Sequence, residues 1–400
     1  MAVVIPRVIT PSSASGAQVI GGSLNMGHGD GSAVPYLTRT NSSTGNRRTW
    51  TFSGWVKRTR YLNTETDTII NYANTTTSSS GIEFSDYDTS GYASGLRFNS
   101  FNSGNDMDLW SAGSYRDVGW YHILEIYDST EATETNRVKM YVNGEYIIDW
   151  RAANYPTNRW PSQNAEGPFC YAGSPGGYIG KYYWSAAIST WTGNFYASQF
   201  YLLDGNIVGP ENFGYTDPLT NVWRPKKYEA KAPNRVGKFF SANFAASDGF
   251  QAAHPALNAF NGGAGPVDVG RAACSSSGCT LTLSSIDVEV KSQLEIWAGY
   301  GSASVNGGGA VDFSGSAPGW QDLNFTGALS TITITGNSSG IANAGELYAV
   351  RVDGVILVDN GGYGTTGFYL PFDGSTYRTR SIRSRKSLDT NALWWFCSIG

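Results

Sequence analysis

The chain has 400 residues, a net charge of −4, only 15% charged residues, 14% aromatics and 49 glycines. An average soluble protein carries about 25% charged residues, so little field is left to hold nucleic acid, and no apolar run reaches the ~18 residues a membrane span needs. Gly, Ser, Thr and Asn with many aromatics suit short strands and turns rather than helices, over a length that allows two or three domains.

Residues 1–33 read as an arm. Pro6, Pro11 and Gly21-Gly22 interrupt any long element, while Val19-Ile20 and Leu24 can each anchor a short strand. The opening Met1 to Arg7 is too short, and broken too soon by Pro6, to be a secretory signal. Met26 to Gly31 is rich in glycine but lacks the Lys and helix that a phosphate loop requires.

Residues 34–228 predict a β-sandwich. Trp50 to Lys57 alternates, with Trp50, Phe52 and Val56 on one face. Leu96 to Phe101 and Trp120 to Tyr127 continue the pattern. Val138, Met140 and Val142 then oppose Lys139 and Tyr141, and Asn143-Gly144 suits a type I′ hairpin turn, in which both central residues need φ > 0. Tyr178-Ile179 opens a further strand, Tyr196 to Leu203 ends at the turn Asp204-Gly205, and Pro210 to Gly214 fits one helical turn.

Residues 224–240, with Pro225 and Pro233, read as a linker, and residues 235–365 predict a second, smaller β-sandwich. Its strands are Thr280–Leu283, Leu294–Trp297, Thr331–Ile334 and Leu347 to Val352, with a hairpin at Asp353-Gly354. Residues 366–400 hold a strand near Phe368 to Phe372, a basic run (Arg378, Arg380, Arg383, Arg385, Lys386) and the apolar Leu393, Trp394, Trp395 and Phe396. Basic charge to steer and aromatics to anchor describe a docking peptide. The alternative is a tail that folds back on the second domain.

The cysteines Cys170, Cys274, Cys279 and Cys397 are too few for a disulfide scaffold. Free thiols are expected, although Cys274 and Cys279 bracket a short loop and would bridge if their Cα atoms lay ~4.4–6.8 Å apart. His28, His122 and His254 are too dispersed for a zinc site, so no metal or cofactor is expected.

An ordered set of segments carries a resemblance: Ile9 to Leu24, Tyr36 to Thr40, Gly45 to Trp50, Ser53 to Arg58, Trp120-Tyr121-His122, the Asn-Gly hairpin, Tyr196 to Gly205 and Val222 to Tyr228. Together they resemble the concanavalin A-like (laminin-G-like) jelly-roll virion and tail-fibre proteins of marine tailed bacteriophages. Asn258-Ala259-Phe260-Asn261-Gly262 is similar to the opening of galactose-binding-like domains, with Asn261 where Asp is usual. The resemblance implies an all-β protein, a concanavalin A-like jelly roll followed by a galactose-binding-like sandwich. It implies a virion structural protein (tail fibre, spike or head decoration) for host attachment, made in the host cytoplasm and trimeric. Its implied partners are other virion proteins and a host surface glycan.

Two features bear on chemistry. Jelly-roll glucanases resemble one another in a Glu-x-Asp-x-Glu strand, whereas here Glu125 and Asp128 stand three apart and face opposite sides of a regular strand. No enzyme activity is expected from that pair, and polysaccharide cleavage is the weakest of the three functions considered, behind attachment and a free-standing carbohydrate-binding module. Aromatics crowd the stretch from Tyr155 to Trp191, and exposed rings stack on sugars. Tyr155, Trp160, Tyr171, Tyr182, Trp184 and Trp191 are the glycan-contact candidates, with core filling or subunit contact as the alternative.

Overall fold

A computed structural model describes residues 18–27, 35–59, 66–75, 78–85, 94–101, 107–117, 119–150, 160–173, 175–184, 187–229, 234, 238–262, 271–336, 344–359, 363–372 and 396–399. The protein is all-β. Among the described residues the helical segments are short 3-10 turns, of which Pro210–Asn212 is the one expected from the sequence.

Sixteen strands precede the linker: β1 (Leu24–Asn25), β2 (Pro35–Arg39), β3 (Thr49–Arg58), β4 (Thr66–Thr75), β5 (Ser78–Ser85), β6 (Gly95–Phe101), β7 (Met107–Trp110), β8 (Tyr121–Asp128), β9 (Val138–Val142), β10 (Glu145–Tyr146), β11 (Gly176–Ile179), β12 (Lys181–Trp184), β13 (Ala187–Thr192), β14 (Phe195–Asp204), β15 (Gly214–Thr216) and β16 (Trp223–Pro225). Twelve of them build two antiparallel sheets of seven strands each, while β12 with β13 and β15 with β16 form separate pairs. One runs β1-β14-β3-β8-β9-β10; the other runs β2-β11-β4-β5-β6-β7. Each gains its seventh strand from the far end of the chain.

The sandwich follows from alternation. Trp50, Phe52 and Val56 of β3 point inward with Ile123 and Tyr127 of β8 and with Val138, Met140 and Val142 of β9. They meet Ile82, Phe84, Leu96 and Phe98 from the other sheet. Trp50 stacks on Phe169 at 4.4 Å and on Tyr127 at 5.3 Å. The two sheets face each other across this core as the expected β-sandwich.

A second, smaller sandwich follows. A five-stranded sheet (Phe244–Ala246, Thr280–Leu283, Ile332–Gly336, Gly301–Val305, Ala310–Asp312) is accompanied by a four-stranded one (Gly319–Asp322, Leu294–Ala298, Ala349–Val352, Val355–Ile356). Leu281, Leu283, Ile296, Ile334, Val350 and Val352 fill its core. Asp353 and Gly354 take φ of 50° and 79° in the expected two-residue hairpin.

Three sequence expectations are corrected. Cys274 and Cys279 form a disulfide across a Cα separation of 6.3 Å, because Gly278 at φ 72° turns the chain back between two strands that pair with different partners. The start of the linker is a strand: Trp223–Pro225 pairs with Gly214–Thr216. The C-terminal segment returns to the first sandwich, not the second. Phe368–Leu370 pairs with β14, and Phe368, Leu370 and Phe372 enter the first core. Phe396–Ile399 pairs with β2 at the edge of the other sheet.

The return is tied down at the end of β14. The Asp204 carboxylate is buried and accepts hydrogen bonds from the Asn46 N–H at 2.6 Å, the Thr366 N–H at 2.8 Å and the Thr366 hydroxyl at 2.9 Å. Beside it the Gly205 and Gly262 backbones meet so closely that a Cβ on either would overlap the other strand's carbonyl. Asp204→Ala strands two buried N–H donors. A loss of about 3 kcal/mol in urea-unfolding free energy is expected; a change below about 0.5 kcal/mol would show that the tie is dispensable.

Candidate functional site

A broad groove of about 710 Å³ lies at the end of the first sandwich. Three chain segments make it: the loop Gly113 to Tyr121, the hairpin Val142 to Asp149, and the β15–β16 hairpin with its connecting loop. Tyr115, Trp120, Tyr121, Tyr146 and Trp223 supply rings, while Asn143, Glu145, Asp149, Thr216 and Asn221 supply polar groups. Exposed apolar side chains concentrate here: Tyr146, Ile148 and Val222 are 42%, 72% and 47% exposed and all line the groove. Contiguous exposed apolar surface beside polar groups is the signature of a binding site rather than of an idle surface.

The walls are held rigidly. Asn143 and Gly144 take φ of 51° and 81°, as the sequence required. The Asn143 Oδ1 accepts from the His122 N–H at 2.8 Å, and the Asn143 N–H donates to the His122 carbonyl at 2.8 Å, which pins the hairpin tip to β8. A Cβ on Gly144 would lie 2.6 Å from the Trp223 ring. Trp223 in turn stacks on His122, with ring centres 5.9 Å apart. His122 is buried, shares a hydrogen bond with the Ser53 hydroxyl at 2.9 Å, and is pushed down to about 3 by burial, so it stays neutral. On the opposite wall Tyr121 packs edge-on against Tyr115 at 5.6 Å, and its hydroxyl accepts from the Asp117 N–H at 2.9 Å.

Of the six aromatic candidates, the three with described side chains, Trp160, Tyr171 and Tyr182, have separate surroundings. Tyr182 is a core residue at 1% exposure; its hydroxyl donates to Asn99 at 2.7 Å and accepts from Ser79 at 3.2 Å, so its ring offers no platform for a sugar. Trp160 packs edge-on against Trp150 at 5.7 Å beside the first core. Tyr171 lies under the Arg47 guanidinium at 5.0 Å. Trp184 and Trp191 belong to strands β12 and β13, which pair with each other, and only their backbones are described. Tyr155, the basic residues Arg378, Arg380, Arg383, Arg385 and Lys386, and Trp394 and Trp395 lie outside the described residues; Phe396 begins the strand on β2. The rings that do converge, Tyr115, Trp120, Tyr146 and Trp223, sit on either side of the Asn-Gly hairpin. Their signal in the sequence was the hairpin itself, which fixes what stands beside it.

Buried carboxyls stand elsewhere. Glu125 points into the core between the sheets, opposite Phe52 and Met140, with neither oxygen hydrogen-bonded. Asp128, three residues on, is half-buried at the strand end and accepts from the Thr130 N–H. The two carboxyls therefore share no cleft. On the outer face of the second sheet Arg97 binds Glu83 at 2.9 Å and Asp108 at 2.8 Å, and Asn99 donates to Glu83 at 2.9 Å. Burial pushes Glu83 up to about 7 against the opposing pull of Arg97. Tyr182 joins this network through Asn99. Among the described residues Asp248, Cys274 and Cys279 come near enough to share a metal, but the two thiols are consumed by their disulfide.

No protein-family model matches the chain, and no curated protein matches it. The solved structures that match include a heptameric SAP-like pentraxin from Limulus polyphemus, at 14% identity over 46% of this chain and 77% of that one, with a TM-score of 0.30. Domains LG4-5 of the mouse laminin α1 chain match at 9% identity over 85% of this chain and 93% of that one, with a TM-score of 0.28. Tailspike protein 2 of the Escherichia coli O157:H7 bacteriophage CAB120 matches at 13% identity over 50% of this chain and 24% of that one, with a TM-score of 0.32. The match thus spans about a quarter of that tailspike. Similarity at this level transfers neither a family nor a ligand to this chain.

Two outcomes follow. Burial raises the Glu125 carboxyl well above its ordinary 4.5. The folded chain then holds a proton that the unfolded chain releases, so Glu125 lowers stability as pH rises above 4.5, by about 1.4 kcal/mol per pH unit until its folded pKa is reached. Glu125→Met should gain stability relative to wild type as the pH rises from 5 to 7, the direction that a raised carboxyl requires; parallel urea-unfolding curves at the two pH values would contradict a buried, unpaired carboxyl. Gly144→Ala should cost about 1–3 kcal/mol, from the positive φ and the overlap with Trp223, and should quench or shift tryptophan fluorescence. An unchanged melting temperature would mean that the tip does not pack as described.

Proposed function

We propose that the protein recognises a saccharide through the groove beside the Asn143-Gly144 hairpin. The carrying observation is the convergence of Trp120, Tyr146 and Trp223 with Asn143, Glu145, Asp149 and Asn221 around one open concavity. A pyranose presents apolar C–H faces and a rim of hydroxyls. Indole and phenol rings take the faces at little entropy cost, while carboxylates and amides accept from and donate to the hydroxyls. Ile148 and Val222 extend the apolar contact. The pre-formed walls mean that little ordering is lost on binding.

We place this activity in a virion attachment protein (a tail fibre, spike or head decoration) assembled as a trimer. That setting is supported by the ordered set of segments from Ile9 to Tyr228 described above, and its partners would be other virion proteins and a host surface glycan. Light scattering of the purified protein and labelling of intact particles test it; a monomer absent from particles would leave a free-standing carbohydrate-binding module.

For the groove, Trp120→Ala and Tyr146→Ala should each weaken glycan binding about tenfold, or ~1.4 kcal/mol, in titration calorimetry. Tyr171→Ala should leave it unchanged. The reverse pattern, with Tyr171 essential and Trp120 and Tyr146 silent, would move the site to the stretch that composition favoured.

A further inference from the structure

We infer that the groove selects uncharged or amine-bearing saccharides and rejects anionic ones. This rests on the saccharide reading above and adds the chemical class. Among the described residues, the charged side chains that line the groove are Glu145 and Asp149, with no Lys or Arg beside them. Both carboxylates are exposed, and they flank Tyr146 to Ile148 on one edge of the hairpin. The Tyr115 hydroxyl on the far wall is raised chiefly by burial, and to a lesser degree by Tyr121 and then Glu145.

The described basic groups on adjoining segments have partners of their own. Arg58, behind Tyr115 and Tyr121, is buried and bound to Asp67 at 2.7 Å. Arg116, next to Tyr115 in the chain, donates from Nε to the Ser94 hydroxyl at 3.3 Å. Arg224, next to Trp223, stands 3.7 Å from Asp217. A uronate, sialate or sulfate in the groove would meet two carboxylates, with no cation among the described lining residues to offset them. At contact distance and water-like dielectric each such pair weakens binding about fivefold. An ammonium on the same sugar gains by a similar factor, and gains again if it lies over the Trp120 or Tyr146 face.

The test uses the intact protein and three oligosaccharides of equal length at low salt: a glucosamine oligomer, its N-acetylated form and an oligouronate. Calorimetry should rank the amine first and the uronate at least tenfold behind the N-acetylated form. In the double variant Glu145→Gln, Asp149→Asn, whose exposed positions leave the fold intact, that spread should shrink to within about threefold, as removal of both charge pairs requires. An oligouronate bound as tightly as the neutral oligomer, through a contact that Trp120→Ala abolishes, would overturn the selectivity and leave the saccharide reading standing. Discrimination that survives in the double variant would also overturn it. Failure of all three oligosaccharides, and of a wider panel of neutral, aminated and acidic glycans, would overturn both.

Discussion

The buried Asp204 carboxylate is the constraint on which the architecture turns. The chain builds most of its first sandwich, leaves it to fold a second one, and comes back to supply strands to both original sheets. Asp204 bonds the approach to β3 through Asn46 and the returning segment through Thr366. A few residues away Gln199, at φ 51°, bulges out of β14; its N–H and its side-chain amide both donate to the Pro371 carbonyl. That bulge divides the free edge of β14 between β1 and Phe368–Leu370. Outside it, Tyr201, Phe213, Tyr228, Tyr363 and Tyr369 pack together, so the chain segments going out and coming in share one aromatic cluster. At the neck of the second sandwich the Asp359 carboxylate accepts from the Phe240 N–H at 2.6 Å. Buried carboxylates serving several backbone donors are costly to desolvate and costly to remove. They fix one connectivity where apolar packing alone would accept several.

The groove exists because the same sheet ends in short, stiff turns. A type I′ turn matches the strand twist, so the hairpin continues the sheet and projects Tyr146 and Ile148 beyond it. Trp223 seats against Gly144 because no side chain intervenes, and it carries the β15–β16 hairpin into place as the facing wall. Binding surface is thereby built from loops on a rigid scaffold, the usual division of labour in a sandwich.

Charge is placed sparingly and for different ends. The Arg97, Glu83 and Asp108 network and the Arg58–Asp67 pair are internal and paired. Glu125 is internal and unpaired, tolerable only as the neutral acid. Glu145 and Asp149 are left in water beside rings, where a charge retains its influence on a ligand and costs the fold little.

The sequence by itself determined whatever depends on nearest neighbours. Period-two alternation at Trp50 to Lys57 and Val138 to Val142 gave the strands and their inward faces. Asn143-Gly144 and Asp353-Gly354 gave their turns, because few residue pairs adopt φ > 0 twice. The three-residue step from Glu125 to Asp128 separated two carboxyls without any coordinates. Only the tertiary structure decided what depends on distant partners. Aromatic content around Tyr155 to Trp191 says nothing about which rings face water: Tyr182 is sealed by Asn99 and Ser79, while Trp120, Tyr146 and Trp223, spread over a hundred residues, meet across a groove. Cys274 and Cys279 became a bridge through the turn between two strands that pair with different partners. Phe368 to Phe372 looks the same in sequence whether it joins the second sandwich or the first; the free edge of β14 and the Asp204 carboxylate chose the first, because those are the unpaired backbone and acceptor that the returning chain can satisfy.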